Sequence, residues 1–269
     1  ASYTDKITMS TKQDNLPKKE QDSMVCEEPI YQPTLLGLDN IFLPKEKQKV
    51  LEVCSPTGLK PIIKWAGGKE KELKFILPNT PRFMNYYEPF VGGGSVFVSL
   101  RAEHYYINDK SDELISLYQS ISNNDNEFHM WMIRIMDVWD AMLSYVKSNR
   151  ELVDLYIQLR DGQISEDEIC KRLRSYIQNK WIDLSFVVRE FPWHEREYRK
   201  ELDKNLIRKI LRMHKIEQEK QRMPNSDIFD NIETAFMSSL YMFFRSLYND
   251  KELMQSNKAL ATAMFAFIR

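Results

Sequence analysis

Apolar positions follow two different rhythms along this chain, and the change falls near residue 126. Before it, short apolar and aromatic runs are cut by glycines and polar turns. Phe83 to Tyr87 ends in Glu88, and Tyr105-Tyr106-Ile107 ends in Asn108-Asp109. Runs of this length, bounded by turn residues, predict strands. Between them lie Gly92-Gly93-Gly94 and the helix-compatible Ser95-Val96-Phe97-Val98-Ser99. Residues 61–120 therefore predict a loop and helix, a strand, a tight turn, a helix, a second strand and a further helix.

After residue 126 the spacing turns helical. Phe128 to Leu143 runs on as helix, and Glu151 to Leu159 continues likewise. Ser165 followed by Glu166-Asp167-Glu168 reads as an N-cap with an acidic first turn. Leu206, Ile207, Ile210 and Leu211 recur at helical spacing within 205–216, with bases on the other face, and Ile232 to Tyr248 forms a last long helical region. The expected organisation is a polar tail (1–30), an N-terminal extension of short apolar pieces between prolines (31–60), an α/β part (61–125) and a helical region (126–269).

Composition narrows this picture only slightly. At 269 residues and 43% hydrophobic, the chain can bury a sizeable core. Thirty-eight basic against 39 acidic residues leave no global signal for nucleic acid, so any such binding must come from a local patch. Cys26, Cys54 and Cys170 are odd in number and lack ligand spacing. Free thiols in a reducing, cytoplasmic setting are the plain reading, without a metal. No apolar run is long enough to span a membrane.

The glycine cluster carries the first chemical hint. Glycines let the backbone take unusual dihedrals and approach a ligand closely, and the helix behind them offers unpaired N–H groups. The stretch lacks the Lys-Ser/Thr of a P-loop and the spacing of G-x-G-x-x-G. Taken alone it reads either as a ligand loop at a strand end or as a glycine-rich turn.

Two flanking segments extend the pattern. Lys64-Trp65-Ala66-Gly67-Gly68-Lys69 precedes Glu88-Pro89-Phe90-Val91-Gly92-Gly93-Gly94-Ser95-Val96-Phe97, and Asn108-Asp109 follows at the next strand end. This ordered trio, dense over residues 60–120, resembles the Dam-like, D12-class DNA adenine N6-methyltransferases. The resemblance implies a Rossmann-like α/β methyltransferase fold, incomplete on this chain, with a mostly helical target-recognition region. It implies S-adenosylmethionine as cofactor and double-stranded DNA as substrate. On that footing Trp65, Lys69, Glu88, Phe90, Gly92, Gly93, Gly94 and Asp109 are the cofactor residues. Asp109 suits the ribose diol, Glu88 the ammonium or sulfonium, Trp65 a covering role and Lys69 the cofactor carboxylate. By residue type alone, Trp65 reads as core as readily as ligand, and Lys69 as a solvated lysine.

The family's catalytic signature is missing. Methylation of an adenine amino group in this class uses an Asp-Pro-Pro-Tyr-type motif, whose polar groups accept from the amino group while the aromatic stacks on the flipped base. This chain has eleven prolines, and no two are adjacent. No catalytic residue is therefore expected on it. The leading expectation is a split enzyme, in which a second methyltransferase subunit carries Asp-Pro-Pro-Tyr, as part of a restriction–modification or defence system. A truncated single-chain enzyme and a non-catalytic DNA-binding or regulatory relative stay open beside it.

One segment could supply DNA contacts. Residues 196–222 hold ten Lys/Arg, among them Arg196, Arg199, Lys200, Arg208, Lys209 and Arg212. Such a run furnishes phosphate contacts or is an ordinary solvated helix face. Phe191-Pro192-Trp193-His194, just before it, reads as a stacking element or a buried aromatic corner.

Overall fold

Three short strands make one parallel sheet: β1 (Ile7–Met9), β2 (Asn85–Glu88) and β3 (His104–Ile107), in the order β1-β3-β2. The structure is a computed structural model that describes residues 59–269 and the strand Ile7–Met9. That strand falls inside the stretch expected to be a tail; the rest of the tail, and all but the last two residues of the extension, lie outside the described residues. Asp125 ends the first of two compact units, and the second runs from Asn126 to Ile268.

In the first unit, side chains alternate across the sheet as strand geometry requires. Tyr86 and Tyr105 are register partners, and Tyr105 meets Phe97 edge-on at 5.3 Å between ring centres. Phe97 belongs to α2 (Ser95–Ser99) and in turn meets Tyr118 of α3 (Asp112–Ser122) at 5.8 Å. This is the covered face. On the opposite face the register partners Tyr87 and Tyr106 stack at 4.6 Å, and Tyr87 remains 65% exposed. The remaining helix, α1 (Leu73–Asn79), precedes β2. Among the described residues β2 stands at the end of the sheet and pairs with β3 alone.

The second unit is all helical: α4 (Asn126–Ser148), α5 (Glu151–Arg160), α6 (Glu166–Asn179), α7 (Trp181–Leu184), α8 (Phe186–Glu190), α9 (Glu195–Glu219), α10 (Asn225–Asn249), α11 (Lys251–Ser256) and α12 (Lys258–Ile268). Its core is the seam between α9 and α10. Tyr198, Leu202, Leu206 and Ile210 recur every fourth residue on α9 and are buried with Phe236, Leu240, Phe243 and Phe244. The helix is longer than the 205–216 expected from sequence. Before residue 205 only Tyr198 and Leu202 continue the apolar stripe among charged residues, so the local pattern is faint. Ser165 caps α6 by accepting from the Glu168 N–H at 3.2 Å, as its acidic first turn suggested.

The turn before α9 is an aromatic corner. Phe191 is fully buried, with Trp131 at 5.8 Å and Phe244 at 5.1 Å between ring centres. His194 takes a left-handed conformation (φ 58°), and its ring nitrogen lies 2.8 Å from the Asp250 carboxylate. Asp250 caps α11, and the Leu253 N–H, then His194, hold its carboxyl below the usual range. His194 thus ties two helix starts together, which is a structural role. Among the described residues no helix is long and apolar enough to cross a membrane, and no cluster of metal-ligating side chains occurs.

Candidate functional site

Residues from three separate stretches converge on one cavity of about 350 Å³ in the first unit. The Trp65–Lys69 loop, the Glu88–Gly93 turn with Ser95 and Val96, and Asp109 at the tip of β3 all line it. Of the eight residues assigned to a cofactor from sequence, seven border this space; Gly94 does not.

Backbone geometry explains why glycine occupies the turn. Gly92 and Gly94 have φ of 51° and 77°, in the left-handed region that other residues avoid. Gly93 is constrained by space: a Cβ there would sit 2.6 Å from the Ile63 carbonyl oxygen and 3.3 Å from the Trp65 Cβ. The turn and the Trp65 loop are therefore packed backbone to backbone. Gly93→Ala has to push the Ile63–Trp65 segment aside, and we expect a loss of about 1–3 kcal/mol in stability, read as a lowered denaturation midpoint. A midpoint equal to that of the wild type would mean that the loop yields without cost.

Asp109 braces this turn. Its Oδ2 accepts from the Gly92 N–H at 2.9 Å, and its Oδ1 accepts from the Ser111 N–H at 3.0 Å. From the other side the Tyr118 hydroxyl donates to the Gly92 carbonyl at 2.9 Å. Strand-end hydrogen bonds lock the base of the turn, with the Val91 N–H on the Asn108 carbonyl at 2.8 Å and the Asn108 N–H on the Glu88 carbonyl at 2.9 Å. The sequence reading missed Tyr118. Its only signal was its place on the buried face of a helix that starts after Asp109, which says core and nothing more.

Glu88 is the electrostatically unusual group. Burial pushes its carboxyl up to about 7, against the opposing effect of hydrogen bonds from the Tyr86 hydroxyl and the Phe97 N–H. The Tyr86 bond measures 2.9 Å. A half-buried carboxylate with that affinity for a proton is equally poised to accept a cation. The two aromatics differ. Trp65 is half-buried, its ring against Gly92, whereas Phe90 is 80% exposed at the rim. Lys69 is exposed, and its ammonium donates to the Gly67 carbonyl at 3.2 Å. The cavity thus offers one convertible negative charge, one braced carboxylate, aromatic surface and a backbone that comes close because it lacks Cβ atoms.

The six basic residues assigned to DNA all lie on α9 in the second unit, and they are not equivalent there. Arg199 and Lys200 are paired with Glu195 and Glu197 on their own helix, at 2.9 and 3.3 Å. Arg196, Arg208, Lys209 and Arg212 have no carboxylate in ion-pair range among the described residues.

Comparison with known proteins agrees with the motif pattern. The family model for D12 class N6 adenine-specific DNA methyltransferases matches residues 65–267, and the chain belongs to that family. It is 25% identical over 165 residues to the Type II methyltransferase M1.LlaDCHI of Lactococcus lactis subsp. cremoris, covering 57% of this chain and 54% of that protein. It is 33% identical over 106 residues to the DNA adenine methylase of Salmonella typhi (37% and 32%), and 39% identical over 66 residues to that of Escherichia coli strain K12 (24% of each). The chain thus spans about half the length of the first of these relatives and less of the others. No solved structure matches it significantly.

Proposed function

We propose that this chain binds S-adenosylmethionine in the cavity around Glu88 and takes part in methylating the N6 amino group of adenine in duplex DNA, with a second subunit supplying the Asp-Pro-Pro-Tyr motif. The observation that carries this reading is the convergence of the Trp65 loop, the glycine turn, Glu88 and Asp109 on one space. A cavity of about 350 Å³ is within the usual range for a small-molecule site.

The residues suit the cofactor's parts. S-adenosylmethionine supplies an electrophilic methyl group on a cationic sulfonium. Ionised Glu88 counters positive charge in a partly buried setting, where a charge pair gains more than in water. Each Asp109 oxygen accepts one backbone N–H and keeps a lone pair for a ribose hydroxyl. Trp65 and Phe90 offer faces for the adenine ring, and Lys69 offers donors for the cofactor carboxylate. Glycines at 92 and 93 let the ligand lie against main chain.

The sequence holds no Asp-Pro-Pro-Tyr-type motif, since no two prolines are adjacent, so in this reading the amino-group acceptor and the stacking aromatic come from the second subunit. The sheet also supports a missing portion. Parallel sheets are covered on both faces in α/β proteins, whereas here Tyr87 is exposed and the outer edge of β2 is unpaired among the described residues. In this reading the complementing subunit extends the sheet into a Rossmann-like methyltransferase fold.

The test is calorimetric titration of S-adenosylmethionine into the chain, with transfer of labelled methyl to DNA assayed alone and after adding a partner encoded beside it that carries Asp-Pro-Pro-Tyr. We expect binding by the chain and transfer only with the partner. Absence of binding in both states would remove the proposal and favour a DNA-binding regulator that keeps only the fold.

A further inference from the structure

The basic run that begins α9 looks uniform in sequence, and tertiary structure divides it. Arg199 is spent twice: on Glu195, and on the Trp181 ring, over which its guanidinium sits at 3.5 Å. Lys200 pairs with Glu197, Lys204 with Glu201 at 3.1 Å, Lys215 with Glu219 at 3.9 Å, and Arg222 with Asp161 at 3.1 Å. Arg208, Lys209 and Arg212 remain as a group without a carboxylate in reach among the described residues. Arg196 and Lys220 also lack one, but each stands alone near an end of the helix.

Helical spacing puts the three together. Arg208 and Arg212 are one turn apart, and Lys209 and Arg212 are three residues apart, so each pair shares a face. Burial and the two neighbouring guanidinium groups push the Lys209 ammonium down. Like charges held this close oppose folding of the free protein, and an anion relieves that cost.

Arg208 is also held in place. Its Nη2 donates to the Asn205 Oδ1 at 3.0 Å, and the Asn205 Nδ2 donates to the Glu201 Oε2 at 3.0 Å and to the Glu201 carbonyl at 2.9 Å. Asn205 and Glu201 are buried, at 3% and 9% exposure. The Ser239 hydroxyl, from α10, donates to the same Glu201 carbonyl at 3.0 Å. A surface guanidinium therefore rests on a buried polar chain that reaches the neighbouring helix. Ordering it in advance lowers the entropy lost on binding. Beside it a groove of about 380 Å³ is lined by Trp139, Arg208, Tyr241 and Glu233 among others. The carboxylate of Glu233 makes the groove itself a poor anion pocket, which places the anion on the α9 face that Arg208, Lys209 and Arg212 share.

We propose that Arg208, Lys209 and Arg212 form a phosphate-contacting cluster for duplex DNA, that Glu201 and Asn205 act as positioning residues for Arg208, and that Arg199 and Lys200 take no part. This rests on the DNA substrate of the reading above. A polyanion fits better than a single phosphate, because the three cations are spread along one helix face, with Arg208 and Arg212 exposed and Lys209 half-buried.

The experiment is fluorescence anisotropy of a labelled mixed-sequence duplex with the full chain, over a salt series from about 0.05 to 0.2 M. Each phosphate contact contributes about −0.9 to the slope of log K against log salt. Replacing all three (Arg208→Gln, Lys209→Gln, Arg212→Gln) should flatten the slope by about 2–3 and weaken binding by two to three orders of magnitude at about 0.1 M salt. The double replacement Arg199→Gln with Lys200→Gln should change neither. If the triple variant loses its fold, as judged by circular dichroism, Arg212→Gln alone should flatten the slope by about 0.9. Inorganic phosphate at matched ionic strength should not compete. A triple variant that binds like the wild type, an equal loss in the double variant, competition by free phosphate, or a wild type that does not bind duplex would each overturn the proposal. Cofactor titration separates the two readings: the triple variant should retain S-adenosylmethionine binding, and a wild type that fails to bind cofactor would sink the enzyme reading alone.

Discussion

Asp109→Ala should weaken the proposed S-adenosylmethionine binding about a hundredfold in calorimetric titration, the largest single-residue effect expected at the cavity. Two causes add. The alanine leaves the Gly92 and Ser111 N–H groups without their acceptor, so the turn that shapes the cavity loosens. It also removes the proposed acceptor for the ribose hydroxyls. A charge-assisted hydrogen bond contributes about 1.5–3 kcal/mol, and a hundredfold corresponds to about 2.7 kcal/mol, so two such losses suffice even when partly relieved by water. Asp109→Asn keeps one accepting oxygen and should lose less, about tenfold. Affinity unchanged in the alanine variant would show that neither the brace nor the carboxylate serves the ligand.

Glu88 should make cofactor binding depend on pH, in a direction that follows from its carboxyl being pushed up to about 7. Only the ionised form attracts a cationic ligand. Affinity should therefore rise with pH through about 7 and level off above it, with a limiting change of tenfold per pH unit below. Glu88→Gln should abolish the dependence and bind at least about tenfold more weakly than the wild type at pH 8. Stability moves the opposite way. In the folded chain Glu88 keeps a proton that the unfolded chain releases at the ordinary glutamate value. Stability from this group is thus present at low pH and lost as pH rises through the window up to about 7. Glu88→Gln should accordingly be more stable than the wild type at pH 8, by on the order of 1–2 kcal/mol after allowing for solvent reaching the site, and equal to it near pH 4. Parallel pH profiles of affinity and of thermal midpoint read both effects. A flat affinity profile in the wild type would mean that Glu88 does not face the charged part of the ligand.

The opposed effects have one origin. A carboxylate held in partial burial costs stability in the empty protein because water no longer solvates it, and that same desolvation strengthens its attraction for a cation. Gly92 and Gly94 take left-handed conformations that glycine adopts most readily, and of the two only Gly92 borders the cavity, where the proposed ligand would lie against main chain.

Much of the cavity was legible in the sequence because its parts are local. A strand ending in Glu88, a turn of three glycines and a strand ending in Asp109 are each set by neighbouring residues, and parallel strands bring their ends to one side. The grouping of residues as far apart as Trp65 and Asp109 came from the ordered motifs that resemble the D12-class family, and the parallel strands show how their ends reach one side. Family membership likewise rests on short ordered motifs, and the absence of adjacent prolines is a property of the sequence alone. Tertiary structure decided what depends on partners distant in the chain. It showed that Asp109 also braces Gly92, 17 residues away, and it brought Tyr118 onto the same turn, 26 residues from Gly92. It showed that Gly93 is glycine because of the Ile63 carbonyl rather than its own dihedrals. It also separated Arg199 and Lys200 from Arg208, Lys209 and Arg212, since charge count is written in sequence while neutralisation depends on which carboxylates fold within about 4 Å.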